Sequence, residues 1–148
     1  MRGPRQLIWS VAAVVAVVGL SACSDSSTEP SATTGPVATV APAPGEALDA
    51  PAFAAALKRP GTTVVDVRTP AEFAQGHLPG VVNIDVSSPD FATAIGALDP
   101  AAPYAVYCKS GNRSAAALEA MQGAGFSAAY HLAGGITSWT SAGGAIVR

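Results

Sequence analysis

An α/β fold with a parallel sheet is what this chain predicts, on three observations. Short apolar and β-branched runs recur at 62–67, 81–84, 104–107 and 128–132. Segments with helical punctuation lie between them, and strands alternating with helices are the pattern of a parallel sheet covered on both faces. The apolar fraction is 49% with only 6% aromatic residues, so the core must be built mainly from Val, Leu and Ile. A chain of 148 residues has room for one such domain.

The N-terminus reads as a targeting segment that takes no part in the fold. Arg2 and Arg5 precede an apolar run from Leu7 to Leu20, the length of a signal h-region and short for a membrane span. Leu20-Ser21-Ala22-Cys23 follows, and these small residues before a cysteine resemble the bacterial lipobox. That resemblance implies lipid attachment at Cys23 after removal of residues 1–22. Loss of the two arginines leaves six basic and ten acidic side chains, a formal charge of −4. Residues 23–47 are rich in Ser, Thr, Pro and Ala without apolar periodicity, and read as a linker. The folded domain is expected over 48–148.

Within it, Asp49 can cap a short helix with Pro51 in its first turn and Phe53, Ala56 and Leu57 facing inward. Pro60-Gly61 stops it, and 62–67 is a strand. Thr69, Pro70 and Glu72 form a capping-box start for a second helix. Gly76 to Gly80 is a turn, and 81–84 a second strand. Ser87 or Ser88 caps a helix expected from Pro89 to Leu98, ended by Asp99-Pro100. Tyr104 to Tyr107 is a buried strand, an Ala-rich helix runs from Ser114 to Gly123, and 128–132 is the last strand. Gly134-Gly135 opens a final short helix carrying Ile136 and Trp139, which Gly143-Gly144 ends.

The chemistry concentrates between the strand 104–107 and the helix after it. Cys108 opens a loop of Lys109, Ser110, Gly111, Asn112 and Arg113 that closes at Ser114. A strand, a short polar loop and a helix N-terminus turn backbone N–H groups inward and form an anion site. A cysteine at the start of such a loop has a lowered pKa and reacts as thiolate. With Cys23 lipidated, Cys108 is the only thiol remaining, without a disulfide partner or companion cysteines for a metal. No metal or cofactor is expected. The absence of a basic run or basic-aromatic interleaving argues against nucleic acid as a partner.

Three blocks, in order and at matching spacing, resemble the rhodanese-like domain family. The first runs from Val64-Val65-Asp66-Val67-Arg68 through Glu72-Phe73 and Gly76-His77-Leu78-Pro79-Gly80 to Asn83-Ile84. The second is Tyr107 to Ser114, and the third Leu132-Ala133-Gly134-Gly135-Ile136 with Trp139. The resemblance implies a doubly wound domain with a central, mostly parallel five-stranded sheet flanked by short helices. It implies a sulfurtransferase whose nucleophile, Cys108, takes sulfane sulfur from a small anionic donor such as thiosulfate and passes it from a persulfide to a thiol or cyanide. Arg113 falls on the arginine that closes the family's loop. Lys109 stands where arginine is also common, keeping the charge without the bidentate fork. Four residues separate Cys108 from Arg113, the sulfurtransferase length; the phosphatase relatives have one more.

On this reading backbone N–H groups and Lys109 meet the donor, Arg113 serves the loop scaffold as much as the substrate, and Ser110 or Ser114 can bond the outer sulfur of the persulfide. Asp66, Arg68, Glu72 and His77 read as structural support, with Glu72 a helix cap or a partner of Arg68. His131 reads as a structural or surface residue; a Cys/His pair with His77 or His131 is conceivable, but the resemblance gives neither that role. The function expected is sulfur transfer by a domain held by the lipid on Cys23 to the extracytoplasmic face of a membrane. The alternatives are a persulfide carrier for a partner protein, and a cysteine-dependent phosphatase or arsenate reductase.

Overall fold

The computed structural model describes residues 36–148. The signal segment, Cys23 and the first part of the linker lie outside the described residues. Five strands, β1 (Ala47–Leu48), β2 (Thr63–Asp66), β3 (Val82–Asn83), β4 (Tyr104–Tyr107) and β5 (Ala129–Leu132), form one sheet in the order β1-β5-β4-β2-β3. Every pairing within this sheet is parallel, and His77 and Val147 form a separate antiparallel bridge. Five helices alternate with them: α1 (Ala50–Leu57), α2 (Pro70–Gln75), α3 (Phe91–Gly96), α4 (Asn112–Gly123) and α5 (Gly135–Ser141).

Strand side chains alternate between two apolar layers, as the period of two demands. On one face Val65, Val106 and Ala129 pack with Phe91 and Ile95 of α3 and Leu118 and Met121 of α4. On the other, Ala105, Tyr107, Tyr130 and Leu132 pack with Phe53 of α1 and Trp139 of α5. β4 lies at the centre, buried at all four positions. It thus carries Cys108, the next residue, out at the carboxyl end of the sheet with no exposed surface.

Local chemistry accounts for most element boundaries. Asp49 Oδ1 accepts from the Ala52 N–H at 2.9 Å, opening α1. Thr69 and Glu72 make the reciprocal capping box of α2. Three expectations are corrected. The core is not mainly Val, Leu and Ile: Trp139, Tyr107, Tyr130 and Phe53 are its largest fully buried side chains, and alanines fill the space between them. The helix read over 89–98 is shorter, Phe91–Gly96, and its cap residue Asp90 makes no side-chain cap bond. Ser88 Oγ instead accepts from the Asp90 N–H at 3.1 Å, two positions too early to cap the helix. The linker read up to residue 47 ends sooner. Ala47 is already in β1, the Gly45 N–H donates to the Ala129 carbonyl at 2.7 Å, and the Ala38 N–H donates to the Ala55 carbonyl at 3.1 Å. Tertiary pairing with β5 and α1 captures a Pro- and Ala-rich stretch that has no strand pattern of its own. A recess of about 350 Å³ between residues 38–42 and α1 is lined mainly by small apolar side chains and lies away from Cys108.

Candidate active site: a thiol in an inward-facing amide cradle

The loop after β4 is shaped by what its carbonyls do. The Ile136 N–H donates to the Cys108 carbonyl at 2.8 Å. The Thr137 N–H and hydroxyl donate to the Lys109 carbonyl at 3.2 and 2.9 Å. The first turn of α5 thus holds these carbonyls away from the sulfur. This contact requires Gly135: a Cβ there would lie 2.4 Å from the Cys108 carbonyl oxygen and 2.5 Å from the Lys109 carbonyl carbon. Gly111 has φ +100°, a conformation glycine adopts without strain, and its N–H points back to Cys108 Sγ at 3.1 Å. Gly135, Ile136 and Thr137 were not among the expected site residues. The tandem glycine marked the start of a short helix but not what it packs against.

Burial is the largest single influence on the Cys108 thiol and raises its pKa. The Ser114 side chain and the backbone N–H groups of Ser114, Ser110 and Gly111 outweigh it, so the net shift is downward. The site is therefore built to carry a thiolate. Ser114 has no exposed surface; its Oγ donates to the Gly111 carbonyl at 2.9 Å and lies 3.0 Å from His131 Nδ1. Ser110 and Lys109 are exposed at the loop's outer edge, with Asn112 exposed at the start of α4.

Arg113 does not point an unpaired guanidinium into the cradle. Its two terminal nitrogens donate to the two oxygens of Glu72 at 2.8 and 2.7 Å, a bidentate pair joining α4 to α2. Arg113 holds the Glu72 carboxyl down at about 2, against the cost of burial and with help from Thr69. Glu72 is thus both the cap and a partner of Arg113, not of Arg68. Arg68 pairs with Asp66 instead, with its terminal nitrogen 2.6 Å from Asp66 Oδ2, and also donates to the Gly76 carbonyl at 2.7 Å. Asn83 Nδ2 donates to the carbonyls of Asp66 and Arg68 at 2.9 and 2.8 Å, which fixes the turn leading into α2. His77 stacks on Phe73 with ring centroids 3.8 Å apart, and its Nδ1 lies 3.0 Å from the Phe73 carbonyl. Asp66, Arg68 and His77 thus brace the turn and α2, and Glu72 ties that helix to the loop.

A sequence model of the rhodanese-like domain matches residues 49–142. The chain belongs to the rhodanese-like family. Among its rhodanese relatives, the thiosulfate sulfurtransferase GlpE of Pseudomonas entomophila is 40% identical over 91 residues, covering 62% of this chain and 82% of that protein. A rhodanese-related protein from Thermoplasma volcanium superposes with a TM-score of 0.62 at 33% identity, covering 69% of this chain and 97% of that one. A Rhodopseudomonas palustris protein of unknown function, described as a possible tyrosine phosphatase, superposes with a TM-score of 0.56 at 32% identity, covering 70% and 85%. The rhodanese fold therefore spans the described domain, and its cysteine loop is intact here.

Proposed function

We propose that this rhodanese domain is a sulfurtransferase that carries sulfane sulfur on Cys108. The observation behind the proposal is the buried sulfur that accepts the Gly111 N–H at the foot of a cradle whose carbonyls are tied outward. The Cys108 thiolate attacks the outer sulfur of thiosulfate. The sulfur–sulfur bond of the donor breaks, its electron pair leaves with sulfite, and Cys108 is left as the persulfide anion. A thiolate or cyanide then attacks the outer persulfide sulfur, departs with it, and returns the Cys108 thiolate. Covalent catalysis divides the transfer into two displacements. Inward N–H groups and the N-terminus of α4 offset the repulsion between thiolate and anionic donor without a proton changing hands. Lys109, exposed beside the cradle, is the cation that meets the donor.

The phosphatase reading is disfavoured by the same geometry. A phosphate monoester dianion calls for net positive charge at its equatorial oxygens, and the charge of Arg113 is balanced by Glu72. The loop also has the shorter, four-residue spacing.

We place the domain outside the cytoplasmic membrane, held by lipid on Cys23. All strands run parallel, and β1 is entered at the end of the sheet opposite Cys108. Attachment at that end leaves the cradle, at the other end of the sheet, open to soluble donors and acceptors. Intact mass measured after incubation of the full chain with thiosulfate tests the chemistry, with Cys108→Ser alongside. The expected result is a gain of one sulfur that requires Cys108 and is discharged by cyanide as thiocyanate. A folded chain that gains no sulfur would sink thiosulfate transfer and leave the carrier role, tested with a persulfide-bearing protein as donor.

A further inference from the structure

The contacts of Ser114 fix the proton on His131. A hydroxyl has one hydrogen and two lone pairs. The Gly111 carbonyl, 2.9 Å from Ser114 Oγ, can only accept, so it receives the serine proton. The second contact, 3.0 Å to His131 Nδ1, is then a hydrogen bond only if Nδ1 carries a hydrogen and donates. His131 is 9% exposed and burial lowers its pKa, which favours the neutral ring; the contact with Ser114 Oγ then puts the ring's one hydrogen on Nδ1. Within the sheet Val106 and His131 are register partners. Cys108 lies two residues beyond Val106, on the same face, the one α4 covers.

We propose that His131 is a positioning residue for the reacting sulfur, acting through Ser114: its Nδ1–H holds the serine oxygen in place and leaves the single hydroxyl proton free to turn from the Gly111 carbonyl to the Cys108 thiolate. The turn leaves no group unpaired, because the Gly111 carbonyl also accepts the Ala115 N–H at 3.0 Å. Donation into the serine oxygen polarises its O–H and makes it a better donor to sulfur. The thiolate is the nucleophile of the first displacement and the leaving group of the second: the bond enlarges the ionised fraction for the first and stabilises what departs in the second. The persulfide's inner sulfur is uncharged, and the proton then returns to Gly111. Arg113 also interacts with Cys108 from α4, but it is bound to Glu72 and is unchanged by substitution at 131.

The inference rests on Cys108 reacting as thiolate, and its test needs no sulfur donor. Thiolate absorbance in the ultraviolet is titrated for the full chain, with the Cys108→Ser signal subtracted. His131→Leu is expected to raise the Cys108 midpoint by about one pH unit, the worth of one hydrogen bond to a charged group. His131→Asn, whose amide can donate from near the Nδ1 position, is expected to restore at least half of the shift. In a Ser114→Ala background His131→Leu is expected to add nothing. An unmoved midpoint in His131→Leu, or a shift that persists without the Ser114 hydroxyl, would overturn the proposal. One measurement needs no variant: the nitrogen chemical shifts of His131 in the wild-type chain must report hydrogen on Nδ1. A ring carrying hydrogen only on Nε2 refutes the mechanism however the variants fold.

Discussion

Replacing Glu72 by Gln separates the two tasks of that side chain. Gln at the third position of α2 can still accept from the Thr69 N–H, so the capping box survives. What goes is the charge facing Arg113. Folding lowers the Glu72 pKa from 4.5 to about 2, chiefly through Arg113. At roughly 1.4 kcal/mol per pH unit, this sets a ceiling of about 3 kcal/mol. The side chains of Arg113 and Glu72 are 33% and 26% exposed, and solvent screening reduces the effective value to about 1–2 kcal/mol. The sign follows from linkage. The folded state holds the carboxylate more tightly ionised than the unfolded chain does. The contribution is complete above the unfolded value of 4.5 and is lost as pH falls to about 2. Urea unfolding midpoints of wild type and Glu72→Gln, measured at a series of pH values, should differ at neutral pH and converge across that window. Parallel curves that keep a constant gap down to the acid limit would show that the ion pair is not the source of the difference. Coincident curves at neutral pH would show that it contributes nothing.

Three other outcomes follow from the same contacts. Lys109→Ala should raise the KM for thiosulfate several-fold and weaken its salt dependence while kcat changes less, read from steady-state kinetics at two ionic strengths. Gly135→Ala forces a methyl group to within 2.4 Å of the Cys108 carbonyl oxygen, so it should cost about 2 kcal/mol or more in denaturant unfolding and lower turnover by disturbing the loop. Asn83→Ala leaves the carbonyls of Asp66 and Arg68 without their side-chain donor and should lower stability by about 1–3 kcal/mol, with folded protein retaining its Cys108 titration.

What could be read ahead of the structure was local. The apolar runs at β2, β4 and β5 announce themselves because buried parallel strands tolerate little else. Asp49, Thr69 and Glu72 are legible as caps because each acts within one helical turn. The residues that sequence reading misplaced are those whose partners are remote. β1 has two residues and exists because β5 offers it an edge. Glu72 finds Arg113 41 positions away. Ser114 and His131 are 17 positions apart and meet because α4 crosses the face of the sheet between them and is packed on β5. A polar residue inside the buried run Ala129-Tyr130-His131-Leu132 was the available signal, since such a group needs a partner. It did not say which one.

Commitment of Arg113 to Glu72 bears on how a sulfurtransferase cradle discharges its product. Thiosulfate is a dianion at neutral pH and sulfite an anion that becomes fully dianionic at mildly alkaline pH, so any positive charge that captures the donor also retains the product. Were Arg113 free, two full cations would hold sulfite close to the new persulfide, where the reverse attack regenerates thiosulfate. With the guanidinium paired, the attraction comes from Lys109 and from backbone N–H groups around the sulfur. Backbone dipoles act at short range and serve the atom seated in the cradle, which is thiolate before transfer and the persulfide linkage afterwards. Lys109 is exposed and screened, and lets a solvated dianion go. If Cys108 transfers sulfur as proposed, the ion pair that stiffens the loop also makes capture weaker and release easier, and forward transfer is completed by departure of sulfite and not by tight binding of thiosulfate.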